Sequence, residues 1–137
     1  MIPKFRAWIK TEECFADYIE SIRFYSKETD LCWGGICESD CFDFDDIVLM
    51  QSTGLLDKNG QEIFEGDIVK RYKSPFFKAE WEYQIETVIK EKASLLLGRK
   101  FGKNFGTIPF DSPFAKSDLL EVVGNIYENP ELLEVTE

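Results

Sequence analysis

Histidine is absent from this chain of 137 residues. That removes the usual general base for serine and cysteine nucleophiles, and the side chain that most readily moves protons near neutral pH. Apolar runs are short. The longest continuous one of note, Ile47-Val48-Leu49-Met50, is far below the ~20 residues of a membrane-spanning helix and the ~7–15 of a signal-peptide core. With no export signal in view, a cytoplasmic location is expected, and cysteines there are expected to remain thiols.

Cysteine itself is sparse, with four residues. Cys32, Cys37 and Cys41 are separated by four and then three residues, and Cys14 lies well upstream. Structural zinc uses tighter knuckles, and the plant-type iron–sulfur spacing is missed by one residue, so the four are weak metal candidates and no metal or other cofactor is expected. Two stretches, Asp43-Phe44-Asp45 and Asp57-Lys58-Asn59, begin like a calcium loop. Neither continues with the glycine at position six or the glutamate at position twelve that such a loop needs.

Positive charge is also scarce, 16 Lys and Arg against 26 Asp and Glu. Residues 1–50 carry 5 basic and 11 acidic side chains, residues 51–103 carry 10 and 8, and residues 104–137 carry 1 and 7. A chain so acidic at both ends is a poor general ligand for nucleic acid or for anionic membranes, because affinity for a polyanion comes from Lys and Arg displacing its counterions.

What the chain does have is apolar and aromatic material: 44% hydrophobic residues, 15% aromatic, with twelve Phe. At this length that suffices for one core, and a single domain over 1–137 is the natural expectation. The pattern is mostly that of strands. Phe5-Arg6-Ala7-Trp8 alternates, Phe15 to Tyr25 leans to strand, and the run 47–50 fits a buried strand. Leu55-Leu56 and Ile63-Phe64 flank Asp57-Lys58-Asn59-Gly60, where Asn59 and Gly60 suit the positive φ of a tight hairpin turn. Glu65-Gly66-Asp67 reads as a second corner, and Ile68-Val69 resumes an extended run.

Further on, Trp81, Tyr83, Ile85, Thr87 and Ile89 share one parity, while Glu80, Glu82, Gln84, Glu86 and Lys90 share the other, broken only by Val88, which predicts a strand with one wet face. Gly98 to Gly106 holds three Gly and the basic residues Arg99, Lys100 and Lys103, and reads as a loop. Leu119 to Tyr127 is strand-like. Asn129-Pro130-Glu131 reads as the N-cap and first turn of a short C-terminal helix. The fold class expected is therefore mainly β, a small barrel- or sandwich-like domain closed by a short helix. If a linker interrupts it, Lys73-Ser74-Pro75 is its place.

Thr53-Gly54-Leu55-Leu56-Asp57-Lys58-Asn59-Gly60-Gln61-Glu62-Ile63-Phe64-Glu65-Gly66-Asp67-Ile68-Val69 resembles the signature of the YopX-like proteins of bacteriophages and prophages. The opening Ile2-Pro3-Lys4-Phe5-Arg6-Ala7-Trp8 and the closing Gly124-Asn125-Ile126-Tyr127-Glu128-Asn129-Pro130-Glu131-Leu132-Leu133 agree with it, in the family's order. The resemblance implies a phage or prophage origin in a bacterial host, a mainly β fold and self-association. It brings no catalytic or ligand-binding residues with it. Its signature residues have a structural explanation: Gly54, Gly60 and Gly66 in turns, Asp57, Asn59 and Asp67 as turn hydrogen-bonding groups, and Ile63, Ile68 and Val69 facing a core.

One interaction surface stands out. Lys70, Arg71, Lys73 and Lys78 lie close in sequence to Phe76, Phe77 and Trp81, and combine charge with stacking surfaces as single-strand binders do. The plainer reading is a solvated strand end beside core aromatics. The alternating Asp and Phe of Cys41 to Asp46 could mimic phosphate spacing, or could be an exposed strand edge kept unpaired by its charge. The leading expectation is a non-enzymatic accessory protein that acts through protein contacts, first with itself and, as a second partner, with a host or phage protein. The alternative is a nucleic-acid-linked role, as an acidic DNA mimic or a weak single-strand binder.

Overall fold

The computed structural model describes residues 4–35, 38–75, 80–91, 94–101, 104–110 and 116–133. Strand follows strand along it: β1 (Phe5–Ile9), β2 (Cys14–Phe15), β3 (Tyr18–Arg23), β4 (Glu28–Cys32), β5 (Ser39–Asp43), β6 (Ile47–Leu56), β7 (Glu62–Phe64), β8 (Asp67–Tyr72), β9 (Tyr83–Glu91), β10 (Ser94–Phe101), β11 (Asn104–Pro109) and β12 (Leu120–Asn125). The fold is mainly β, as the alternation predicts, and one sheet curls into a half-barrel. The C-terminal helix is a single 3-10 turn, Pro130–Leu133.

The chain groups into two compact units, Met1–Ser52 and Thr53–Glu137. Their boundary falls inside β6, away from Lys73-Ser74-Pro75, where Ser74 is in fact buried.

In the first unit, β1 pairs antiparallel with β2 and with the first half of β6. A separate sheet runs in the order β3-β4-β5. Its central strand β4 turns Thr29 and Leu31 inward, both wholly buried, which is the period-two signature of a strand with one covered face. Ala7, Ile9, Leu31 and Ile47 form this unit's core, with Ile19, Trp33, Phe42, Phe44 and Leu49 packed against it.

In the second unit a five-stranded antiparallel sheet runs in the order β11-β10-β9-β8-β12. Its core is Ile63, Val69, Val88, Leu97 and Leu120. Two sequence expectations are overturned here. The Gly-rich stretch 98–106, of which residues 102 and 103 lie outside the described residues, is strand in the rest: Gly98 sits in β10, paired with Thr87 on one side and Thr107 on the other, and Gly106 pairs with Arg99. The wet face of β9 is also the opposite one, since Glu86 and Val88 are buried while Tyr83 is 39% exposed.

Candidate functional site

Pleating divides the basic and aromatic segment that follows residue 69. In β8, Lys70 and Tyr72 face one side and Arg71 the other. Arg71 is buried and forms a two-pronged ion pair with Glu86 of the adjacent β9, Nε to Oε1 at 2.7 Å and Nη2 to Oε2 at 2.9 Å. Its guanidinium lies 5.1 Å from the Trp81 ring centroid. A buried charge is tolerable only when paired and hydrogen-bonded in this way, which is why a glutamate can occupy the covered face of β9.

On the opposite face an aromatic and ionic group assembles that sequence spacing alone does not show. Tyr72 and Tyr83 stand opposite each other across β8 and β9, with ring centroids 5.7 Å apart. Lys70 Nζ sits 4.5 Å from the Tyr83 centroid, and Lys58 Nζ 4.1 Å from that of Tyr72. The Tyr72 hydroxyl donates to Glu121 Oε1 at 2.8 Å. That hydrogen bond to a carboxylate, with some desolvation, holds the phenol above its usual pKa. Lys73 is exposed, and its backbone N–H donates to the Glu82 carbonyl at 3.3 Å. Phe76, Phe77 and Lys78 lie outside the described residues.

The 53–69 segment is built around buried carboxylates. Asp57 Oδ1 accepts from the backbone N–H of Asn59 and of Gln61, each at 2.9 Å, and its Oδ2 accepts from Val122 N–H at 2.8 Å. Asp67, also buried, accepts from Phe64 N–H at 2.7 Å across the β7–β8 corner. Gly60 and Gly66 take φ of +84° and +88°. Two readings change: Asn59 does not adopt positive φ, and Gly54, at +81°, lies within β6 and not in a turn. Ile63, Ile68 and Val69 are wholly buried, as expected.

The 124–133 segment completes the same region. Asn129 Oδ1 accepts from Asn125 N–H at 3.2 Å, and Asn129 N–H donates to the Asn125 carbonyl at 2.9 Å. The side chain expected to cap a helix thus serves β12 instead. It lies so close that a Cβ on Gly124 would stand 2.5 Å from its Oδ1. Among the described residues this gives Gly124 a steric reason to be glycine.

Of the cysteines, Cys14 is half-buried, Cys32 buried and Cys41 exposed, while Cys37 lies outside the described residues. Cys41 Sγ is 3.3 Å from Arg23 Nη2 on the β3–β4–β5 sheet. Arg23 also binds both oxygens of Asp30. The paired charges raise the Arg23 pKa and hold Asp30 below the usual carboxylate range. At the β3–β4 turn, Phe24 is 69% exposed and Tyr25 is 102% exposed. Phe24 packs edge-on against Phe44, centroids 6.2 Å apart, and Lys27 closes the turn at φ +59°. Two adjacent aromatics beside the polar Ser26-Lys27 are the sequence signal for this exposed tip. The period-two reading, which sends aromatics inward, hides it.

No helix among the described residues is long and apolar enough to cross a membrane. The model of a family described as YopX protein matches residues 4–134. Among solved structures, the crystal structure of protein EF1440 from Enterococcus faecalis is similar, with a TM-score of 0.58 at 31% sequence identity, over 97% of this chain and 99% of that one. No curated protein matches.

Proposed function

We propose that this chain, which belongs to the YopX family, is a non-catalytic accessory protein of a phage or prophage that works in the bacterial cytoplasm through protein contacts, as a homo-oligomer. The observation that carries the protein-contact reading is the exposed Phe24-Tyr25 tip. Tyr25 is fully exposed and Phe24 keeps only an edge contact with Phe44, whereas at an interface such side chains supply much of the binding energy. Three buried carboxylates support a non-catalytic role: Asp57 and Asp67 are held by backbone N–H groups and Glu86 by Arg71. Each has a structural partner that occupies it.

The single-strand-binding reading draws less support. Arg71 is withdrawn into an ion pair, and Lys58 and Lys70 lie over tyrosine rings beside Glu121. Cations so engaged are poorly placed to displace counterions from a phosphate backbone. The test of the leading reading is light scattering on the wild-type protein across micromolar concentrations, paired with Phe24→Ser/Tyr25→Ser. The wild type is expected to exceed the mass of one chain. The double variant is expected to keep its thermal stability, as a surface change should, and to lose a partner that the tagged wild type recovers from host cells. A strict monomer would overturn the oligomeric part, and unfolding of the double variant would return the tip to a structural role.

A further inference from the structure

The free edges of the sheets are closed in different ways, with one exception. An open edge presents unpaired N–H and C=O groups, which proteins cover, charge, bulge or shorten. β5 is acidic, with Asp40 and Asp43 exposed, and Glu38, Asp45 and Asp46 flank it. β3 carries a register shift between Ile19 and Ser21, together with Glu20 and Arg23. β2 and β7 have only two and three residues. β12 is covered by the chain itself: Lys58 N–H reaches the Leu120 carbonyl at 2.9 Å, Asp57 takes Val122 N–H, and Asn129 takes Asn125 N–H and bonds its carbonyl.

β11 is the exception. It is six residues long, Asn104-Phe105-Gly106-Thr107-Ile108-Pro109, it bears no ionisable side chain, and its register with β10 is unbroken. Among the described residues nothing is hydrogen-bonded to its outer edge. The phase of the ladder shows which groups point outward. Phe110 N–H donates to the Leu95 carbonyl at 3.0 Å, so the pairs Leu97–Ile108, Arg99–Gly106 and Phe101–Asn104 exchange hydrogen bonds. The backbone groups of Phe105, Thr107 and Pro109 therefore face away from the sheet.

We infer that the outer edge of β11 is a strand-addition site for β11 of a second copy, paired antiparallel about a twofold axis at Gly106. This rests on the self-associating reading above. Three features select a second copy. About Gly106, Phe105 falls opposite the second copy's Thr107 and Thr107 opposite its Phe105, so each outward N–H meets an outward carbonyl. Pro109, which has no N–H, falls beyond the paired stretch. A protein of net charge −10 repels its own copies, so a contact between copies belongs where the strand is uncharged, and the acidic β5 edge could not supply it.

Amide hydrogen exchange on the wild-type protein tests this, together with Thr107→Pro, which deletes an outward donor at an edge position where proline is tolerated. Gly106 and Ile108, bonded to β10, should exchange slowly at every concentration. Phe105 and Thr107 should slow by ~10-fold or more as the oligomer forms, and Thr107→Pro should remain monomeric at concentrations where the wild type is not. An oligomer in which Phe105 and Thr107 exchange freely overturns the β11 assignment and leaves the protein-contact reading standing, as does a folded Thr107→Pro of unchanged oligomeric mass. A wild type that is monomeric at all concentrations overturns both the assignment and the oligomeric reading. If Thr107→Pro does not fold, the wild-type exchange rates alone decide.

Discussion

At the scale of single residues, buried charges hold the second unit together in two ways. Asp57 ties its own turn to β12 through three backbone N–H groups, and removing it leaves all three part-buried donors without their acceptor. Asp57→Ala is therefore expected to lower stability by about 2–4 kcal/mol in urea denaturation, and a loss under about 0.5 kcal/mol would show the turn to be self-supporting. Arg71 and Glu86 behave as a pair. Arg71→Met leaves a buried carboxylate without its counter-charge, at an expected cost of about 3–5 kcal/mol, whereas Arg71→Met/Glu86→Leu should recover most of that loss. Additive effects in this double-mutant cycle would contradict the coupling that the 2.7 Å and 2.9 Å contacts imply.

At the scale of strands and turns, the β3–β4 hairpin carries a pH-sensitive clasp. Asp30 accepts hydrogen bonds from Arg23 and from Ser21, and its pKa in the fold lies below the unfolded value of about 3.9. The contribution to stability is thus present above the unfolded pKa and is lost as pH falls through the lower, folded one. A carboxyl-carbon titration followed by NMR should place the Asp30 midpoint below that of a free aspartate, and Arg23→Gln should raise it. An Asp30 midpoint unmoved by Arg23→Gln would remove the clasp.

How far these elements are legible in the sequence depends on how local their causes are. The hairpin at 55–64 is legible because Asp57 and Gly60 specify its turn by themselves, and β1 and the start of β6 are legible from short apolar patterns. The face of β9 is not. Glu86 reads as a wet position until Arg71, fifteen residues earlier, is known to cover it. The β10–β11 hairpin is hidden by its glycines and basic residues, which resemble a loop in composition although the strands pair with their nearest neighbours in the chain. The interaction segment 70–81 was only half legible: the residue types are readable, but their division between two faces depends on register.

At the scale of the whole molecule, charge and edges set what the protein can meet. The same acidity that discourages nucleic acid also discourages self-contact, except where the strand is uncharged. A labelled single-stranded oligonucleotide is accordingly expected not to be retained at low salt; retention abolished by Lys70→Glu would revive the nucleic-acid reading. The central claim is self-association through a neutral strand against a background of mutual repulsion. Sedimentation equilibrium of the wild-type protein across micromolar concentrations, at low and at high salt, tests it most directly. The account predicts a mass above that of one chain that rises with concentration and is held or strengthened by salt, since screening weakens the repulsion between copies of net charge −10 and leaves backbone hydrogen bonds in place. The mass of a single chain at every concentration, or an oligomer that salt dissolves, would contradict it.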